Sequence, residues 1–180
     1  MHEILSGNDR RQSLVLYGLG GIGKTQLAVA YARLHKAEYS AILWLNIKDE
    51  DSLKQSFARA ARRILRENPL PSSLDAVAED NNLDKVVDAV KRWLDHSKNT
   101  RWLVVYDNYD NPKLPGVTDH AAVDIRRFLP EADHGSIIIT TRISQVKFGH
   151  SIHVTKLADV RDSLQILFDT SRRNDTMDST

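Results

Sequence analysis

Short runs of branched apolar residues alternate along the chain with longer stretches in which apolar positions recur every three or four residues. Five runs read as strands: Ser13 to Tyr17, Ala41 to Ile47, Trp102 to Asp107, Ser136 to Thr140 and Ile152 to Thr155. Several are apolar at successive positions, so both of their faces are expected to be covered, as in a parallel sheet between helix layers. The segments between them carry helical spacing. Leu27, Tyr31 and Leu34 mark a helix over Lys24 to Lys36. Leu53, Phe57, Ala60, Ala61, Ile64 and Leu65 form one stripe from Asp51 to about Glu67, with Asp49 or Asp51 near its N-cap. Val86, Val87, Val90, Trp93 and Leu94 place another helix over Leu83 to His96, and a short one is expected around Ala121 to Phe128, closed by Pro130. Loops are expected at Asn68 to Ser73, around Glu79 to Asn82, and from Asn111 to His120.

Alternation of strands with crossover helices implies right-handed connections and a doubly wound α/β fold. Ligands of such sheets sit beyond the carboxyl ends of the strands. The length, 180 residues, suits one domain over residues 13–170, preceded by a linker over residues 1–12. Residues 171–180 carry almost no apolar content and are expected to be disordered.

The formal net charge of +1 creates no strong field, so no nucleic acid or anionic membrane is expected as a partner. Arg62-Arg63 and Arg126-Arg127 read as solvated helix faces. The chain has no cysteine, which removes disulfides and thiolate metal sites and fits a reducing compartment. Its apolar runs are too short to span a bilayer and its N-terminus lacks a signal-peptide pattern, so a cytoplasmic location is expected. Among the seven histidines, His150 and His153 are near neighbours, but their spacing suits a strand edge better than a zinc site. Trp44, Trp93 and Trp102 read as packing residues rather than base-stacking platforms.

Chemistry concentrates at Gly18-Leu19-Gly20-Gly21-Ile22-Gly23-Lys24-Thr25, which matches G-x-x-x-x-G-K-[ST] between an expected strand and an expected helix. Glycines there permit backbone angles that turn successive N–H groups inward around a phosphate, and the helix start adds unpaired N–H groups and a positive dipole end. Lys24 is expected to reach the β- and γ-phosphates, and the Thr25 hydroxyl to ligate Mg²⁺. The phosphate-binding set comprises Gly18, Leu19, Gly20, Gly21, Ile22, Gly23, Lys24, Thr25 and Gln26.

The run Trp102 to Asp107 ends an apolar strand in a carboxylate, placing Asp107 where it can hold Mg²⁺ opposite Thr25. The residue after it is Asn108, an amide that orients water but cannot take its proton, so hydrolysis is expected to be slow or to rely on Asp110. A third run, Ser136 to Thr140, leads into Thr141 and Arg142. If it lies beside the phosphate-loop strand, Arg142 can sense the γ-phosphate, and Thr140 or Thr141 can bond the phosphate or the water.

With these segments in order, the sequence resembles the NB-ARC/STAND family of P-loop NTPases, the nucleotide-binding modules of NOD-like immune and cell-death receptors. The matching segments are GLGGIGKTQLAVAYA, AILWLNIK, WLVVYDNYDNP, FLPEADHGSIIITTR and IHVTKLADVRDSLQILF, from about Leu14 to Phe168. The Asp-Asn pair in DNYDNP is similar to fungal members. The resemblance implies a three-layer P-loop NTPase with a five-stranded parallel sheet in the order 5-1-4-3-2, which sets Thr141 and Arg142 beside the phosphate loop and makes Arg142 the sensor arginine. It also implies a Mg²⁺-dependent ATP/ADP switch with weak NTP hydrolysis, flanking receptor domains and self-oligomerisation. Family members carry a longer segment before the loop and helical subdomains with a Gly-Leu-Pro-Leu-like motif after it. The chain is therefore expected to be the nucleotide-binding subdomain alone. Phosphate contacts do not select the base, so GTP and GDP fit the same loop, although Asn46-Ile47-Lys48-Asp49 departs from the guanine-reading Asn-Lys-x-Asp. A phosphotransferase acting from the same loop is the alternative, weakened by the lack of an arginine-rich lid.

Overall fold

The computed structural model describes residues 1–7, 10–67, 82–113, 119 and 121–155. The loop expected at Asn68 to Ser73, most of that around Glu79 to Asn82, the centre of that from Asn111 to His120, the segment LADVRDSLQILF and the tail 171–180 lie outside the described residues.

Every apolar run forms a strand. A short helix α1 (His2–Leu5) precedes β1 (Gln12–Tyr17), and the chain continues through α2 (Lys24–Leu34), β2 (Ala41–Asn46), α3 (Glu50–Glu67), α4 (Leu83–Leu94), β3 (Trp102–Asp107), β4 (Ser136–Thr141) and β5 (His150–His153). The strands build one sheet in the order β2-β3-β4-β1-β5, with every pairing parallel. This is the expected order 5-1-4-3-2 read from the other edge.

Side chains of successive strand residues point to opposite faces, and the core divides accordingly. Val15, Leu43, Leu45, Val104, Tyr106, Ile137 and Ile139 pack with α3 and α4. Leu14, Leu16, Leu103, Val105 and Ile138 pack with Ala28, Tyr31 and Ala32 of α2 and with Leu5 of α1. β3 and β4 are buried at every position, which explains why they read as unbroken apolar runs.

Details depart from the sequence expectation where packing geometry decides. On α2 the inward residues are Ala28, Tyr31 and Ala32, while Leu34 is 55% exposed and Leu27 also lies outward. Small residues let this helix lie close on the sheet, so the buried face is turned away from the larger leucines. On α4, Trp93 is half-buried and Ala89 takes the inward place. Asp49 caps α3 by accepting from the Ser52 N–H at 2.7 Å. The helix expected at Ala121 to Phe128 is a single 3₁₀ turn at Ile125–Phe128, opened by Asp124 accepting from Arg126 N–H. The last strand starts two residues earlier than expected, at His150.

Trp102 opens β3 fully buried, donating its indole N–H to Leu94 O at 2.8 Å. Beside its ring, Gly135 enters β4 at φ 80°, and an added Cβ would lie 2.4 Å from the indole carbons. Gly135→Ala is expected to destabilise the fold by about 2–3 kcal/mol, because the left-handed backbone and the ring clash act together. Urea unfolding followed by tryptophan fluorescence measures it, and an unchanged midpoint would contradict this packing.

Candidate phosphate-binding site at the carboxyl edge of the sheet

The parallel sheet sends β1, β3 and β4 to one edge, where β3 and β4 end in residues of the sequence-derived site and β1 leads straight into it. β1 runs into the glycine loop. Gly18 continues the ladder, donating to Thr141 O at 3.3 Å, and the loop then turns into α2 through Gly23, which caps the helix at φ 97°, a conformation open to glycine. The first turn of α2 begins at Lys24, and its cap Gly23 supplies no side-chain acceptor to the N–H groups there.

Lys24 is 8% exposed, and its ammonium folds over its own loop, donating to Gly18 O at 2.9 Å and Leu19 O at 2.8 Å. Burial pushes its pKa below the ordinary lysine value; Asp110 opposes that shift, Arg142 adds to it, and Asp107 opposes it. Thr25 follows on the helix and donates its hydroxyl to Asp107 Oδ1 at 2.8 Å. The same carboxylate oxygen accepts from Thr140 Oγ1 of β4 at 2.5 Å. Asp107 is 5% exposed at the tip of β3, so one buried oxygen joins α2, β3 and β4.

Asn108 leaves the strand at φ 67°. That turn is held by its N–H donating to Thr140 Oγ1 at 3.1 Å and by its amide donating to Asn46 Oδ1 at the tip of β2, at 3.3 Å. Asp110 grips Arg142 twice: Oδ1 accepts from the backbone N–H at 2.7 Å and Oδ2 from Nε at 2.6 Å. Both oxygens of the residue considered as a base are thus occupied by the arginine. The Arg142 side chain is 60% exposed and lies across the glycine loop, where a Cβ on Gly20 would sit 3.6 Å from Arg142 Cδ.

A cavity of about 380 Å³ is lined by Gly20, Gly21, Ile22, Gly23, Lys24, Thr25, Gln26, Asn108, Asp110, Thr140 and Arg142. Gly18 lies behind it in the ladder, and Leu19, 76% exposed, points outward. Thr141 departs most from its expected place: it is fully buried, donating its hydroxyl to Tyr109 O and accepting from Ile143 N–H. Strand alternation turns Thr140, not Thr141, toward the cavity. Asn46 is the residue that motif reading passed over, and the only signal for it was a polar side chain closing an apolar strand.

A scan against protein-family models gives no match. Over 167 residues, 87% of the chain, the sequence is 24% identical to a nucleotide-binding leucine-rich repeat (NLR)-like protein of Hyaloscypha variabilis. The chain spans 16% of that relative's length. Among solved structures, Cdc6p from Pyrobaculum aerophilum aligns with a TM-score of 0.52 at 13% identity, covering 94% of this chain and 45% of that one. A signal transduction ATPase with numerous domains, carrying a tetratricopeptide repeat sensor, from Pyrococcus horikoshii aligns at 0.45 and 20% identity, covering 80% and 20%. The sheet order and the glycine loop are those of the P-loop NTPase fold. The similarity to the NLR-like protein agrees with this topology.

Thr140→Val keeps the side-chain volume but leaves Asn108 N–H and Asp107 Oδ1 each short of a partner. It is expected to lower stability by about 1–3 kcal/mol. Thermal and urea denaturation read the change, and a midpoint equal to that of the unaltered chain would count against a structural role for this hydroxyl.

Proposed function

We propose that this chain is the nucleotide switch module of a NOD-like signalling receptor, binding ATP and ADP with Mg²⁺ and hydrolysing the triphosphate slowly. The observation that carries the reading is the convergence of Thr25 Oγ1 and Asp107 Oδ1, 2.8 Å apart, beside the buried ammonium of Lys24. Two hard oxygen donors next to a phosphate loop suit Mg²⁺, which keeps water and phosphate oxygens as its other ligands. Thr25 and Asp107 would hold that ion, whose charge offsets that of the β- and γ-phosphates when it is bound.

The remaining roles follow from the chain's own side chains. Loop N–H groups from Gly20 to Thr25 enclose the phosphates, and Lys24 exchanges its two carbonyl acceptors for phosphate oxygens. Arg142, steadied by Asp110, meets the terminal phosphate and distinguishes a triphosphate from a diphosphate. Asn108 orients water without accepting its proton, which is the reason for slow hydrolysis. Self-association through flanking domains, a NOD-like context and a cytoplasmic setting are parts of the same reading. Among the described residues no helix is long and apolar enough to cross a membrane.

Calorimetric titration of ATP, ADP, GTP and GDP, with and without Mg²⁺, followed by phosphate-release and acceptor-transfer assays, tests the proposal. Binding with slow release and no transfer supports it; transfer to an acceptor would favour the phosphotransferase. Lys24→Ala is expected to weaken nucleotide binding by about 2–4 kcal/mol, and equal affinity in that variant would overturn the assignment.

The lowered pKa of Lys24 gives a further check. Phosphate favours the ammonium form, so the bound-state pKa lies above the free-state one. Affinity is then full below the free-state pKa and falls as pH rises through it toward the bound-state value. The decline is expected to be absent from Lys24→Arg, whose guanidinium stays charged.

A further inference from the structure

Away from the phosphate edge, three side chains from separate segments meet at the opposite end of α2. His35 caps the helix, Glu38 lies in the 3₁₀ turn Lys36–Glu38 that follows, and His2 belongs to α1. The two imidazoles stack in parallel, with ring centroids 4.2 Å apart and planes 7° from one another. His35 Nδ1 donates to Glu38 Oε1 at 2.7 Å, and His2 Nδ1 stands 3.7 Å from Glu38 Oε2. One potential ligand atom from each residue falls within 4.8 Å of the other two.

We infer that His2, His35 and Glu38 form a site for a borderline-soft divalent metal ion such as Zn²⁺, tying α1 to the far end of α2. Bonds of about 2.0–2.1 Å in tetrahedral geometry set ligand atoms about 3.3–3.4 Å apart. The separations of 2.7 and 3.7 Å, one to each carboxylate oxygen, bracket that value, and the exposed His2 ring must swing out of the parallel stack for both imidazole lone pairs to converge on one ion. Two imidazoles and one carboxylate suit Zn²⁺, Ni²⁺ or Cu²⁺ and not Mg²⁺, which prefers an all-oxygen shell.

The support is partly built. The His35 side chain is only 15% exposed, against 47% for His2 and 48% for Glu38, and packs against the Tyr31 ring at a centroid distance of 4.6 Å. Tyr31 is buried in the core and its hydroxyl pairs with that of Tyr39 at 2.8 Å, so the ring holding His35 is fixed at both ends. The ion would take the place of the proton on His35 Nδ1, the neutral ring then carrying its proton at Nε2, with water in the fourth position. Because α1 packs on β1 and its Leu5 O accepts from Ser136 Oγ at 3.0 Å, the metal would join an N-terminal segment already seated on the sheet.

The test uses the tag-free chain at pH 7.5, with Zn²⁺ titrated by calorimetry and Co²⁺ by visible absorption. One ion per chain is expected, with a d–d spectrum of tetrahedral intensity and a melting temperature raised by Zn²⁺. His2→Ala, His35→Ala and Glu38→Gln should each lower Zn²⁺ affinity on the order of ten- to a hundredfold, while His150→Ala leaves it unchanged. Circular dichroism shows whether each variant is folded, and Glu38→Gln, nearly isosteric, keeps the test decisive if His35→Ala is not. Binding weaker than about 1 mM, or equal affinity in Glu38→Gln and the unaltered chain, would overturn the site.

Discussion

Asp107 Oδ1 sits at the end of a strand buried along its whole length, and two hydroxyls converge on it, Thr25 from the first turn of α2 and Thr140 from the tip of β4. A buried carboxylate oxygen needs hydrogen-bond donors to offset its desolvation, and these two hydroxyls supply them. That requirement fixes where the helix starts relative to the sheet. It also fixes the sharp turn after Asp107, because Thr140 Oγ1 that donates to the carboxylate also accepts from the N–H of Asn108. The glycine loop is held between these anchors and by the Lys24 ammonium, which donates to Gly18 O and Leu19 O.

The site's cations follow a matching logic. Lys24 rests on two carbonyls of its own loop and Arg142 on Asp110, so each positive group has an acceptor inside the protein. Under the proposed nucleotide binding, an incoming phosphate would compete with these partners, and the net gain would be smaller than the number of new contacts suggests. The two cations differ in what release would require. Lysine would exchange neutral carbonyls for a charged phosphate, whereas arginine is held by a carboxylate through both its backbone and its side chain. In the proposed switch, sensitivity to the terminal phosphate would therefore rest on the Asp110 and Arg142 pair.

The amino-acid sequence by itself determined the alternation of strands and helices, the parallel sheet and the positions of Lys24, Thr25 and Asp107, because these rest on local properties. Apolar runs cannot lie in water, and a glycine-rich turn between a strand and a helix has few other uses. Strand order came from a resemblance, and the observed order β2-β3-β4-β1-β5 agrees with it. Tertiary structure alone decided which of two adjacent threonines faces the cavity, since a parallel register sends neighbouring residues to opposite faces. It also decided that Asp110 grips Arg142, that Asn46 supports Asn108 and that His2 meets His35 and Glu38. Those contacts join residues far apart in the chain, and no spacing rule in one sequence encodes a distance that only packing creates.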